Sequence, residues 1–409
     1  MTSSPTPAAS KVASLRSRSP SEIIRRVGVI GGGQLAWMMA LEAKALGIEL
    51  VVQTPNAIDP AVAIAADAIF APVADAAATA QLAAQCDLIT FENEFIDLPA
   101  LAELAAKGVQ FYPQLEALAP LLDKYDQRRY LEQIGLPTPR FVPLASEADL
   151  PSLQQQADQL GFPLVLKTRR LGYDGQGTFI FKDIAQLEVT WRRLGYSPVL
   201  LEEFVPFERE LAVMAARSVK GEIIVYPVVE TQQIDQVCRR VLAPASVAVT
   251  VVKQVQAIAH TLLESLEGVG VFGVELFLTP DGQTLVNEIA PRTHNSGHYS
   301  LDACYTSQFE QQLRAVCGLP LGAAEMRYRE AAMINLLGFE KRQSNYIEKR
   351  QQLAQIPNAH LYWYDKTESR PGRKLGHVTV LSDTRSGGPD KPIQQIAQEI
   401  ESIWYENGI

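Results

Sequence analysis

The stretch Phe272-Gly-Val-Glu-Leu-Phe-Leu-Thr-Pro-Asp-Gly-Gln-Thr-Leu-Val-Asn-Glu-Ile-Ala-Pro-Arg292 reads as two short apolar strands joined at Asp281-Gly282. Asp-Gly between apolar runs favours a two-residue type I′ loop with positive φ at both positions. Counting outward from that turn pairs 280 with 283 and sets Glu275 directly opposite Glu288, so two carboxylates lie side by side on one face. Like charges opposed across a ladder are destabilising. The pair therefore calls for a shared proton or a bound cation, unless the hairpin is merely solvated. The apolar neighbours on both strands favour the cation. Mg²⁺ prefers carboxylate oxygen, keeps several waters and completes its shell with substrate phosphates. Asn287 adjoins the second carboxylate and Arg292 follows it closely.

Around this hairpin the chain has 409 residues, 47% of them hydrophobic, enough for two to three domains. A net charge of −9 argues against a general nucleic-acid binder, whose footprint is a basic face. Cys86, Cys238, Cys304 and Cys317 form no C-x-x-C pair, so neither a disulfide framework nor a zinc knuckle is supported. No apolar run is long enough to suggest a transmembrane helix; the expectation is a soluble, cytoplasmic protein with no membrane or nucleic-acid partner. Residues 1–22 are rich in Ser, Ala and Pro, and Glu22 is their first acid. The composition resembles a transit peptide but lacks a clear amphipathic helix, and a disordered extension is the plainer reading.

Arg26 to Ile30 is a buried strand that feeds Gly31-Gly-Gly-Gln-Leu-Ala36 and a helix, with Glu49 to Gln53 as the next strand of a parallel unit. The glycine spacing fits a dinucleotide fingerprint, but the second strand ends in Gln53-Thr54 where a ribose-binding acid belongs, so a tight turn holding some other ligand is favoured. Asp87 to Phe91, another strand, empties into Glu92-Asn-Glu94. Glu92 suits either a hydroxyl-binding or a helix-capping role.

A Pro- and Gly-rich linker, Gly135 to Arg140, follows a helix that begins near Asp123-Lys124. The strand ending in Lys167 leads to the loop Leu171-Gly-Tyr-Asp-Gly-Gln-Gly177, whose glycines let backbone amides approach phosphate oxygens, although no Walker sequence closes it. Val199 to Leu211 carries Glu202, Glu203 and Glu210, a strand and acids that would suit a nucleotide pocket. His294 and His298 flank Asn-Ser-Gly, which argues for a loop rather than a zinc-binding helix. Tyr364-Asp-Lys366 and Arg370-Pro-Gly-Arg-Lys374 gather cations at a turn, either a monophosphate clamp or a solvated loop.

Gly31-Gly-Gly-Gln-Leu35, Phe91-Glu-Asn-Glu-Phe95, Gly172-Tyr-Asp-Gly-Gln-Gly177, Asn287-Glu-Ile-Ala-Pro-Arg292, His294-Asn-Ser-Gly-His298 and Arg370-Pro-Gly-Arg-Lys-Leu-Gly-His377 together resemble the ATP-grasp superfamily. Within it they are similar to the 5-(carboxyamino)imidazole ribonucleotide synthases of purine biosynthesis. The likeness runs from residue 25 to the end, and His-Asn-Ser-Gly-His is its most specific piece. It implies a mixed α/β and α+β protein: a Rossmann-like N-terminal domain over 23–122, an ATP-grasp domain over 123–322, and a small C-terminal domain over 323–409, commonly as a homodimer.

The resemblance also implies the reaction, in which ATP, bicarbonate and 5-aminoimidazole ribonucleotide yield ADP, phosphate and the N-carboxylated ribonucleotide. Carried over by position, Lys124, Lys167, Asn287 and Glu288 meet ATP with Gly172, Gly175 and Gly177; Glu202, Glu203, Phe204 and Val205 line the adenine; Glu210 takes the ribose. Glu275 and Glu288 hold Mg²⁺. Gln34, Leu35, Glu92, Asn295, Lys366, Arg373 and Lys374 bind the ribonucleotide, and Tyr173, Asp174, Arg292 and Lys374 are the catalytic set. Trp37 and Gln176 stand where many relatives carry a basic residue, and Arg169 or Arg170 could compensate. A formate-dependent glycinamide ribonucleotide transformylase shares the acyl-phosphate strategy, and a nucleotide-binding regulator without turnover is the competing reading of another class; the His-Asn-Ser-Gly-His segment and the acid pair respectively argue against them.

Overall fold

The computed structural model describes residues 24–170, 177–383 and 391–405. Its first sheet is parallel and built from β1 (Arg26–Ile30), β2 (Glu49–Thr54), β3 (Asp67–Phe70) and β4 (Leu88–Phe91), in the order β3-β2-β1-β4. β1 and β4 are almost wholly buried apolar runs, as strands covered on both faces must be. The order reverses beside β1, so the loops after β1 and β4 open into one crevice at the carboxyl ends of the strands.

A second, antiparallel sheet holds β5 (Phe141–Leu144), β6 (Leu164–Thr168), β7 (Thr178–Phe181) and β8 (Val199–Glu203) in the order β5-β8-β6-β7. The third sheet begins with β9 (Arg209–Arg217), β10 (Ile223–Val225), β11 (Val229–Ile234), β12 (Val237–Ala243), β13 (Gly270–Leu278) and β14 (Thr284–Ala290). β15 (Glu330–Leu337) pairs with β12, so the same sheet continues into the C-terminal part through β17 (Ala359–Trp363) and β19 (Lys374–Ser382). β16 (Arg342–Gln343) and β18 (Glu368–Ser369) form a separate small ladder. The helix Val249–Leu266 packs Val255, Ile258, Ala259, Leu262, Leu263 and Leu266 against Val213, Val274 and Val286. This i, i+3, i+4, i+7 stripe holds β9, β13 and β14 from behind and leaves their other face to the cleft.

The hairpin β13–β14 departs from the two-residue turn expected of Asp281-Gly282. Thr279 and Gln283 close the loop, with Gly282 N–H donating to Thr279 O at 2.9 Å, and Gly282 carries the positive φ, +83°. This is the three-residue hairpin loop with glycine in the left-handed position. It moves the near register by one, pairing Leu278 with Thr284 and Leu276 with Val286, and a bulge at Asn287 moves it back, so that Glu275 faces Glu288 as expected. The two single-residue departures cancel.

Candidate functional site

The bulge shapes the site because two residues of the bulged strand oppose one on its partner. Along β14 the pattern is Thr284 in, Leu285 out, Val286 in, then Asn287 and Glu288 both out, then Ile289 in. Regular alternation would have turned one of that pair into the core. Here both face the same cleft, a cavity of about 880 Å³ between the second and third sheets, closed at one end by the first.

Lys167, at the end of β6, is buried and reaches Asn287 Oδ1 at 3.0 Å and Glu202 Oε2 at 2.7 Å. Lys124, first residue of the helix Lys124–Gln133, lies 2.7 Å from Glu288 Oε2. Asp123 caps that helix, accepting from Tyr125 N and Asp126 N, and also receives Arg169 Nε at 2.8 Å. One helical face supplies two further residues that sequence reasoning passed over. Gln127 exchanges hydrogen bonds with the Ile289 backbone in both directions. Arg128 donates to Glu202 Oε1 at 2.6 Å and to Asn287 O at 2.7 Å, with both ion-paired side chains 3% exposed. Lys124, Gln127 and Arg128 stand at i, i+3 and i+4, the spacing that marks one face, and this was the available signal.

Burial alone would raise the Glu202 carboxyl; Arg128 and Lys167 override it and hold it at about 2. The same burial is the main cause of a lowered Lys167 pKa, opposed by Glu202. Glu202 is thus a permanent anion that orients two cations. Glu203 pairs with Arg140 at 2.6 Å, and Glu202, Glu203, Phe204 and Val205 line the cleft side by side. Glu210 accepts from Gln233, a cleft residue with no motif of its own in the sequence, and burial raises Glu210 to about 7.

Glu275 is pushed up to about 7 by burial, then by Glu288 and Glu210. Glu288 moves the other way: burial would raise it, but Lys124 wins and lowers it. The opposed acids therefore behave unequally, one held by a lysine and the other short of positive charge. His294 Nε2 stands 3.7 Å from Glu275 Oε1, a neighbour the sequence did not assign. Among the described residues no group of three His, Cys, Asp or Glu side chains is placed to hold a metal alone. Two carboxylates beside the Lys124 and Lys167 side chains fit Mg²⁺ nonetheless, because that ion is ordinarily held by one or two carboxylates plus substrate phosphates.

At the other end of the cleft, Glu92 leaves β4 and accepts from Gly33 N at 2.6 Å and Leu35 N at 3.1 Å. It caps the helix Gln34–Ala43 from a distant strand, one of the two roles the sequence left open, and it also borders the cleft. A Cβ at Gly33 would stand 2.4 Å from Glu92 Oε1, so a side chain there would have to displace the capping carboxylate. Gln34 and Leu35 line the cleft, and Lys366 Nζ donates to Gln34 Oε1 at 2.8 Å. Lys366 falls to about 8, chiefly through burial and then Arg373. Asn295, on the turn Asn295–Gly297, exchanges amide hydrogen bonds with Asn335.

Arg292 is ion-paired with Glu94 at 2.8 Å, and it and Lys374 border the same cavity. Arg373 does not border it; its guanidinium donates to Glu368. Trp37 packs edge-on against Tyr362 and Tyr364. Gly177 N-terminally opens β7 and accepts from Thr168 N at 2.8 Å, whereas Gly172, Tyr173, Asp174, Gly175 and Gln176 lie outside the described residues. No described helix is long and apolar enough to cross a membrane.

The chain matches the ribonucleotide synthetase preATP-grasp domain over residues 24–120, the ATP-grasp domain over 129–309, and the phosphoribosylaminoimidazole carboxylase C-terminal domain over 331–387. It is 57% identical to N5-carboxyaminoimidazole ribonucleotide synthase of Synechococcus elongatus, covering 93% of this chain and 96% of that one. It is 36% identical to phosphoribosylaminoimidazole carboxylase of Saccharomyces cerevisiae, over 92% of this chain and 69% of the longer relative. Among solved structures, N5-carboxyaminoimidazole synthase of Aspergillus clavatus with ADP and 5-aminoimidazole ribonucleotide superposes with a TM-score of 0.83 at 33% identity, covering 92% and 99% of the two chains. An ADP complex of N5-carboxyaminoimidazole ribonucleotide synthetase gives 0.84 at 34% identity, over 94% and 99%. With its three domain matches in order and these identities over nearly its whole length, the chain belongs to the N5-carboxyaminoimidazole ribonucleotide synthase family of ATP-grasp ligases.

Proposed function

We propose that this protein uses ATP to carboxylate 5-aminoimidazole ribonucleotide with bicarbonate, in purine biosynthesis. One observation carries the reading: a single cleft brings Lys124, Lys167, Glu275, Asn287 and Glu288 together with Gln34, Glu92, Asn295 and Lys374. The first group suits nucleotide phosphates and the second a ribonucleotide. Family membership supports it, since relatives carry this activity in their names and one solved relative holds ADP and 5-aminoimidazole ribonucleotide together. The formate-dependent and the non-catalytic readings have no comparable support.

Bicarbonate carries a poor leaving group, so its carbon resists a weak aromatic amine; phosphorylation to carboxyphosphate supplies a good one. That step demands positioning and charge neutralisation more than covalent help. Lys167, oriented by Glu202 and Asn287, and Lys124, oriented by Glu288, meet the phosphates. Glu275 and Glu288 would hold Mg²⁺, which when bound neutralises phosphate charge. Arg292 and Lys374 face the anion at the carboxylation end, where carboxyphosphate loses phosphate and CO₂ meets the amine. Gln34, Leu35 and Asn295 orient the ribonucleotide, and Lys366 stands one hydrogen bond behind Gln34. The reading carries with it three domains at 23–122, 123–322 and 323–409, and the cytoplasmic homodimer expected of the family.

The test compares ADP release with 5-aminoimidazole ribonucleotide plus bicarbonate against release with glycinamide ribonucleotide plus formate. Turnover confined to the second pair, or to neither, sinks the proposal.

A further inference from the structure

Three proposed ribonucleotide-binding residues share a pattern: each is followed, three positions on, by an aromatic or imidazole ring. Gln34 is followed by Trp37, Asn295 by His298 and Lys374 by His377. The three pairs come from the first sheet's helix, the turn after β14 and the strand β19, and their rings meet in one column. Trp37 packs on Tyr362 and Tyr364 with centroids at 6.4 and 6.1 Å; Tyr362 stacks on His377 at 4.6 Å and 8°; His377 lies 5.0 Å from His298, which in turn touches Phe309 at 5.6 Å.

The hydrogen bonds make this more than apolar filling. The Gln308 amide is oriented by the His294 backbone, whose N–H donates to Oε1 at 2.9 Å and whose carbonyl accepts from Nε2 at 2.7 Å. Its remaining N–H meets His298 Nδ1 at 3.2 Å, so that nitrogen accepts, and the neutral ring carries its proton on Nε2. His377 Nδ1 is bonded to Tyr364 OH at 2.7 Å. Both imidazoles are fully buried, and the Nε2 of each has no partner among the described residues. Burying unpaired ring nitrogens is unfavourable, and a phenyl ring would fill the space without them, so these two imidazoles call for a reason besides packing.

We propose that the column Trp37–Tyr362–His377–His298 is a positioning device: it sets the three ribonucleotide-binding segments relative to one another, and His298 and His377 are its central positioning residues. The proposal rests on the carboxylation reading above and extends it to rings behind the ribonucleotide-binding side chains, of which His298 also borders the cavity and Trp37, Tyr362 and His377 do not. Segments locked through shared rings move as a unit, so a change at one ring disturbs all three, while the phosphate end, held by Arg128, Lys167 and Glu202, is untouched.

The test uses the full-length chain with Trp37→Leu, His377→Phe, His298→Phe and the double variant Trp37→Leu/His377→Phe. Each single variant is expected to raise KM for 5-aminoimidazole ribonucleotide by roughly tenfold or more while leaving KM for ATP within about twofold. The double variant should fall well short of the product of the singles, as coupled sites do. ATP-dependent rises in melting temperature, retained in every variant, show that the ATP-binding half is folded. Parallel loss of both affinities marks a purely structural role and overturns the proposal, as do multiplicative effects or unchanged KM values. The wild type is assayed first: no turnover there refutes the carboxylation reading and the column with it, whereas a working wild type with indifferent variants refutes the column alone.

Discussion

Replacing Glu275 by Gln should destroy activity and stabilise the empty protein, and the stabilisation should grow with pH. The Glu275 carboxyl stands at about 7 in the folded chain against 4.5 for the free side chain, and its side chain is only 26% exposed. A carboxyl raised on folding binds its proton more tightly in the native state, so native stability is lost as pH rises from 4.5 through 7 and stays lost above it. At 1.36 kcal/mol per pH unit, the penalty is roughly 1 kcal/mol at pH 5 and about 3 kcal/mol at pH 8. Glutamine keeps the shape and removes the charge, so Glu275→Gln should exceed wild type by about 2 kcal/mol more at pH 8 than at pH 5. Urea unfolding at both pH values, without nucleotide or divalent cation, measures the difference. An increment independent of pH, or a wild type that is the more stable at pH 8, would refute the electrostatic account of the acid pair.

Glu288→Gln should lower ADP formation by about a thousandfold, some 4 kcal/mol of barrier, with the fold intact by circular dichroism; full activity would remove the metal assignment. Arg128→Met leaves Glu202 and the Asn287 carbonyl short of a buried partner, and should cost about 3–5 kcal/mol in denaturant unfolding. Glu92→Ala removes two hydrogen bonds to backbone amides at a helix start and should destabilise by about 1–3 kcal/mol, whereas Glu92→Gln retains an acceptor and most of that stability. Because Lys366 titrates at about 8, apparent affinity for the ribonucleotide should weaken as pH rises through 8; Lys366→Arg should flatten that profile, and a flat wild-type profile would count against the lysine's role.

Much of this was legible beforehand because it depends on local rules. Strand β4 emptying into Glu92, the helix beginning near Asp123-Lys124 and the opposition of Glu275 to Glu288 all follow from apolar period and hairpin counting. The residues passed over act at long range and have no local pattern: Arg128 is 74 positions from Glu202, and Gln233 meets Glu210 across paired strands. Glu92 could be placed at the mouth of a crevice, but only the packing of β4 beside β1 decided that its carboxylate would cap the helix after β1.

The opening hairpin divides the two sources of information most clearly. From its residues alone came two strands, a tight turn and a pair of carboxylates in opposition, because side-chain alternation and register are properties of consecutive residues. The turn has three residues instead of two, and the bulge at Asn287 restores the register, turning Asn287 and Glu288 toward one cleft where Lys167 and Lys124 receive them. That bulge is anchored from outside the hairpin, by Arg128 on the Asn287 carbonyl and Gln127 on the Ile289 backbone. Where the extra residue falls is therefore a matter of tertiary hydrogen bonding, which no count along the strand contains.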